Sequence, residues 1–148
     1  MTKEDILLHL PYAPPFLFVD ALEYIDEAQV VGTYTFKADL PCYQGHFKGH
    51  PVTPGVLLTE VMAQIGLACL GIYLWREEIP QQVPAVAMTS TQIDFYLPVS
   101  PGETVKVTAE KIYFRFNKLK CRVALHNAAG ELVCDGIIAG MILNKSNE

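Results

Sequence analysis

The 148-residue sequence lacks a basic surplus, a cysteine framework, an export signal, a repeat and a linker. Eleven Lys and Arg against sixteen Asp and Glu leave a net charge of −5, so nucleic-acid binding, which favours basic faces, has no electrostatic support. The four cysteines (Cys42, Cys69, Cys121 and Cys134) show no C-x-x-C spacing. MTKEDILLHL carries acids early and no long apolar core, so no signal peptide is read and the cytoplasm is the expected compartment. In that setting the cysteines are expected as free thiols. No low-complexity tract divides the chain, and residues 1–148 are read as one domain. Charged residues make up 18% against 51% hydrophobic, which excludes disorder and indicates a sizeable core.

The local signals outline an α+β chain. Thr2-Lys3-Glu4-Asp5 can cap a short amphipathic helix through Leu10, ended by Pro11. PPFLFVDALEYI contains an apolar run suited to a strand, and VVGTYTFKA alternates like a second. Pro and Gly make the stretch from Lys37 to Thr53 a loop. Thr53 offers an N-cap acceptor and Pro54 suits the first helical position, so a helix is expected from Pro54 to about Trp75, stopping before Pro80. Strands then follow one another: AVAMTSTQIDFYL, TVKVTAEKIYFRF, KLKCRVALHN and LVCDGIIAGMIL, with turns at VSPGE and AAGE.

Pro54–Trp75 is long enough to cross a bilayer, but Glu60 and Gln64 lie inside it and its flanks lack an anchoring basic cluster. The expectation is a helix apolar on every face because protein wraps it, not a membrane span. A curved, mostly antiparallel sheet would supply part of that cover, and a second copy of the chain the remainder.

Into this apolar segment the sequence places a carboxylate, and a lone buried charge is expensive unless it is paired or neutral. An apolar setting would raise the pKa of Glu60 and keep a proton on it, making it a candidate general acid. His46, in the Gly-flanked loop CYQGHFKGHP, is a candidate general base. Gly55, in the first helical turn, offers an unpaired N–H and room for a ligand oxygen. Gln64 follows Glu60 by one turn and could orient its carboxyl. A base, an acid and an oxyanion donor suit removal of a proton alpha to a carbonyl with departure of a β-hydroxyl. Cys42-x3-His46-x3-His50 resembles a metal site only superficially: no fourth ligand follows and the glycines oppose the alignment, so no metal and no cofactor are expected.

GHFKGHPVTPGVLLTEVMAQ resembles the active-site motif of the FabZ-type 3-hydroxyacyl-(acyl-carrier-protein) dehydratases, usually close to GHFPGxPxxPGVLxxEAMAQ. LPYAPPFLFVDAL, FYLPVSPGETV and GELVCDGIIAGMI resemble further segments of that family, so the likeness spans the chain. It implies a hot-dog fold, a sheet wrapped around one long central helix. It also implies His46 and Glu60 as the catalytic pair, the Gly55 amide on the thioester carbonyl, and Gln64 in the substrate site. The implied partners are an acyl carrier protein bearing the 3-hydroxyacyl chain and a second copy of the chain. Each site would take its histidine from one protomer and its acid from the other, with a trimer of dimers left open. Glutamate at position 60 favours dehydration without migration of the double bond.

The sequence departs from the family pattern at Lys48, where proline is usual, at Tyr12-Ala13, where His-Arg is usual, and at Ala21, where arginine is usual. Those changes leave housekeeping fatty-acid synthesis and a specialised acyl or polyene pathway both open. Lys111, Arg115, Lys118, Lys120 and Arg122 form a basic run without an acid, either solvated strand edges or a docking patch for an acidic carrier. Two further function classes stand beside the dehydratase: a hot-dog acyl thioesterase, which has no clear use for His46, and a non-catalytic acyl-binding homologue, against which the retained pair counts.

Overall fold

The structure of the protein, a computed structural model, describes residues 1–79 and 85–143. Helix α1 (Lys3–Leu8) begins with a reciprocal capping box: Thr2 Oγ1 accepts from the Asp5 N–H at 3.0 Å and Asp5 Oδ2 from the Thr2 N–H at 2.9 Å. It is shorter than the expected reach to Leu10 and buries Ile6.

Six strands make one antiparallel sheet: β1 (Ala21–Ile25), β2 (Gln29–Thr35), β3 (Ala85–Phe95), β4 (Thr104–Arg115), β5 (Lys118–His126) and β6 (Leu132–Leu143), in the order β1-β2-β4-β5-β6-β3. Alternation decides which face is core. Val30, Gly32 and Tyr34 of β2, Val105, Val107 and Ala109 of β4, and Leu119, Cys121, Val123 and Leu125 of β5 all point inward. Strand β3 differs: among the described residues it sits at the sheet edge and pairs only with β6, and it leaves Met88 and Phe95 exposed.

The first expected strand is mostly not one. PPFLFVDALEYI is irregular until Ala21, because Pro14 and Pro15 have no N–H to offer a ladder. Phe18, Val19 and Leu22 of this run are buried all the same, and edge-to-face rings run from the half-exposed Phe16 through Phe18 and Tyr34 to Phe36.

The central helix spans Gly55–Leu74, close to the expected limits. Pro80, expected to mark its stop, lies outside the described residues. The N-cap is Pro54, not Thr53, and it provides no side-chain acceptor. Thr53 is otherwise engaged: its hydroxyl bonds the Tyr43 hydroxyl at 2.5 Å, and its N–H donates to Val99 O at 2.9 Å. The helix is not uniform, being α over Gly55–Ala63, π over Gln64–Cys69 and α again over Leu70–Leu74.

At Gly66 the helix lies directly on the sheet, where an added Cβ would stand 3.1 Å from the Ala109 methyl and 3.2 Å from a Val123 methyl. All residues from Val61 to Ile72 are buried within this one chain. The sheet and the N-terminal segment therefore cover this stretch within one chain, whereas part of the cover was expected from a second copy. With 72% of its most apolar window buried in protein, the helix is core and does not span a membrane.

Candidate active site

The site begins where the helix does. The first N–H groups of a helix have no intrahelical acceptor, and Pro54 brings no capping oxygen to them. Gly55 and Val56 therefore open the helix toward a cavity of about 790 Å³. Phe16, Leu57, Met88, Ile93 and Phe95 contribute apolar walls, and Thr59, Glu60 and Thr91 polar points. At Gly55 a side chain would press on the Phe95 ring, whose nearest carbon lies 3.2 Å from the added Cβ position. Glycine is what lets the edge strand close on the helix start.

Glu60 is half-buried, and desolvation raises its pKa above the ordinary carboxylate value. A smaller opposing effect comes from the Gln64 amide, which donates to Glu60 Oε2 at 3.0 Å. Gln64 has no exposed surface. Its second N–H donates to Phe16 O at 3.0 Å, and its Oε1 accepts from the Phe18 N–H at 2.8 Å. One side chain thus ties the irregular 14–20 segment to the helix and steadies the carboxyl. With its amide hydrogens engaged and its surface covered, Gln64 stands behind the cavity wall and holds Glu60.

His46 is half-buried in the loop after a 3₁₀ turn, Pro41–Gln44. Its N–H donates to Cys42 O at 3.0 Å and its carbonyl accepts from the Val52 N–H at 2.9 Å. Nδ1 lies 2.9 Å from Val52 O. A carbonyl only accepts, so Nδ1 carries the hydrogen and the neutral ring keeps its lone pair on Nε2. The Phe47 ring stacks on the imidazole at 4.2 Å between centroids.

Gly55 and Glu60 share the cavity wall with Gln64 behind them, whereas His46 is not among the residues that line it. Phe16 and Phe95 are wall residues that pattern alone did not single out; both sit in segments that resemble the dehydratases, but only the fold turns them toward Glu60. Among the described residues no three His, Cys, Asp or Glu side chains converge as a metal set, and all four cysteines are free thiols.

A single antiparallel sheet carrying a long buried helix, with a carboxyl and an open helix start at one apolar cavity, defines a hot-dog protein. The chain belongs to the FabA-like domain family, whose profile matches residues 10–140. It is 37% identical over 141 residues to the 3-hydroxyacyl-[acyl-carrier-protein] dehydratase FabZ of Herpetosiphon aurantiacus, covering 92% of this chain and 94% of that one. It is 32% identical to the FabZ of Geotalea uraniireducens, over 94% and 90% of the two chains. Among solved structures, the dehydratase heterocomplex ApeI:P of Xenorhabdus doucetiae superposes with a TM-score of 0.81 at 14% identity, covering 99% of this chain and 95% of that one. A hypothetical thioesterase protein of Streptococcus pneumoniae, solved with coenzyme A, superposes at 0.63 with 14% identity, over 83% and 84% of the chains. At such identities these likenesses show the fold alone.

Proposed function

We propose that this chain acts as a single hot-dog domain in the cytoplasm, dehydrating (3R)-3-hydroxyacyl chains held as thioesters on an acyl carrier protein. The product is the trans-2-enoyl thioester. The observation that carries this reading is a half-buried carboxyl with a raised pKa on the wall of an apolar cavity that also contains the open start of a helix. The FabZ relatives at 32–37% identity, aligned over nearly the whole chain, support the same activity.

In this reading the thioester carbonyl accepts from the Gly55 N–H, which stabilises negative charge as it develops on that oxygen. His46 Nε2 removes a proton from C2. The C3–O bond breaks, its electrons leave with the hydroxyl, and protonated Glu60 gives that oxygen its proton, releasing water and leaving a C2–C3 double bond. Return of the proton from His46 to Glu60 resets the site. Gln64 holds the carboxyl toward the cavity. No step calls on a metal or a cofactor.

Two copies complete the site. Strand β3 exposes an unpaired edge with Met88 and Phe95, both lining the cavity, and a second copy meeting that edge would close the open side. His46 would then reach Glu60 across the pair, in keeping with its place outside the cavity wall of its own chain.

The basic run supports a carrier as partner at one place only. Lys111 acts electrostatically on Asp26, and Arg122 faces Glu110 across the strands and shares a surface hollow with Asp94 and Asp135. Arg115, Lys118 and Lys120 remain at the tip of the β4–β5 hairpin, with no acid paired to them among the described residues.

The test is to incubate the protein with a panel of 3-hydroxyacyl carrier-protein thioesters and follow water loss by mass spectrometry. Loss of 18 mass units from the acyl chain is expected, by the stoichiometry of dehydration, about one water per turnover. Hydrolysis instead would mark a thioesterase, and tight acyl binding without turnover a non-catalytic homologue.

A further inference from the structure

The tip of the β4–β5 hairpin combines three features that each oppose stability. Phe116 and Asn117 form its two-residue turn, both with positive φ, at 52° and 60°. Such turns favour Asn and Gly, and a bulky side chain in the left-handed region is an outlier. Phe116 is also 93% exposed, the most exposed large apolar residue among the described residues. Finally, Arg115 stands directly opposite Lys118 in the register, a like-charge pair.

The tip is nonetheless firmly held. Asn117 O accepts from the Ile142 N–H at 2.8 Å, which fastens the turn to β6. Arg115 lies over the Tyr113 ring at 4.2 Å and Lys120 Nζ is 5.9 Å from the same ring, so one aromatic platform gathers two of the cations. Outside residues 111–122 the chain carries six cations against sixteen acids, a charge of −10, so the positive charge is concentrated here.

We propose that Phe116 is the anchor by which this protein selects its acyl carrier: the ring enters an apolar socket on the carrier, and Arg115, Lys118 and Lys120 meet carboxylates around the socket's rim. The inference rests on the carrier reading above and deepens it from charge attraction to a specific apolar contact. The match is a small acidic partner, because only a small body can meet the tip without approaching the acidic remainder of the chain. A flat anionic membrane would bring that remainder near its own charge, within reach of electrostatic repulsion at about 8 Å screening. A buried aromatic ringed by charged residues is the arrangement that concentrates binding energy in one residue.

The discriminating variant is Phe116→Gly. Glycine suits the left-handed turn, so the variant should melt no lower than the parent, which separates loss of docking from loss of fold. Binding of a bacterial acyl carrier protein bearing a 3-hydroxyacyl chain is measured by calorimetry. Turnover of that substrate is compared with turnover of the same acyl group on N-acetylcysteamine. Expected are weakening of carrier binding by about tenfold or more and a similar fall in the carrier-to-mimic ratio of kcat/KM. Unchanged carrier affinity, or no carrier binding by the parent protein, overturns the proposal. So does Phe116-dependent binding to phosphatidylserine vesicles with carrier affinity unaltered. If neither thioester is dehydrated and yet Phe116→Gly abolishes carrier binding, the reaction assignment fails while the docking contact stands.

Discussion

At the scale of single residues, the site depends on two side chains with opposite proton tasks and a third that holds one of them. His46→Ala and Glu60→Gln should each lower dehydration by about 10²–10⁴-fold with the fold retained, as general bases and acids contribute that much. Near-parental turnover in either purified variant would remove that residue from the mechanism. Glu60 also has a stability signature. Its folded pKa is raised by burial, so the stability it contributes is present below the ordinary carboxylate pKa and lost as pH rises through the folded one. Glu60→Gln has no charge to form, so its melting temperature relative to the parent should climb from pH 4 toward neutrality. A constant difference across melts at several pH values would count against a desolvated carboxyl. Gln64→Ala removes the donor that lowers the Glu60 pKa, so the basic limb of the pH–rate profile should move to higher pH. The same change strands Phe16 O and Phe18 N, at about 1–3 kcal/mol for each buried unpaired group. A lower melting point without movement of the profile would assign Gln64 to the fold alone.

At the scale of elements, glycine positions set how closely helix and strands approach. Gly66→Val would drive methyls into Ala109 and Val123, and should destabilise by about 1–3 kcal/mol, read from denaturant midpoints. An unchanged midpoint would mean the helix can lift from the sheet. Gly136→Ala is harsher, since its Cβ would overlap the Gln92 carbonyl of β3. It should release the edge strand, seen as faster amide exchange over Ala85–Phe95, and with it the cavity wall at Phe95. Strands β4 and β5 were legible from alternation because each buries one face on a single helix, and β6 from its apolar run. The strand expected at PPFLFVD was not. Its apolar run promised burial, but two prolines and the Gln64 amide gave its backbone a different set of partners. The π segment Gln64–Cys69 likewise has no pattern of its own, since it conserves the apolar character of the helix and changes only the hydrogen-bond step.

At the scale of the whole molecule, the prediction is complementation. If each site takes His46 from one chain and Glu60 from the other, then a mixed dimer of His46→Ala and Glu60→Gln has one site with both defects and one site intact. Random pairing of equal amounts makes about half the dimers mixed, so about a quarter of all sites recover parental activity. Co-expression of the two inactive chains followed by a dehydration assay reads this directly. No recovery, with mixed dimers confirmed, would place both groups in one chain's own site. The physical ground for pairing has moved from the helix, which one chain covers from Val61 to Ile72, to the exposed β3 edge and the open cavity.

Local chemistry that does not depend on distant partners was already decided in the order of residues. Period-two strands, a helix too apolar for any surface, a carboxyl set within it and a long ungapped motif led to the sheet, the central helix and the family. Facts that depend on residues far apart in sequence belonged to the tertiary structure. Phe16 and Phe95 lie 79 positions from each other and meet at one cavity. Thr53, a good N-cap on its own, is drawn away by Tyr43 and replaced by Pro54. Gln64 becomes the clasp of a segment 46 residues upstream. In the basic run, five cations that look alike in sequence divide into two beside acids and three at the hairpin tip that carries Phe116, with no acid paired to them among the described residues. Hydrogen bonds and charges act over a few ångströms, so their partners exist only once the chain has folded.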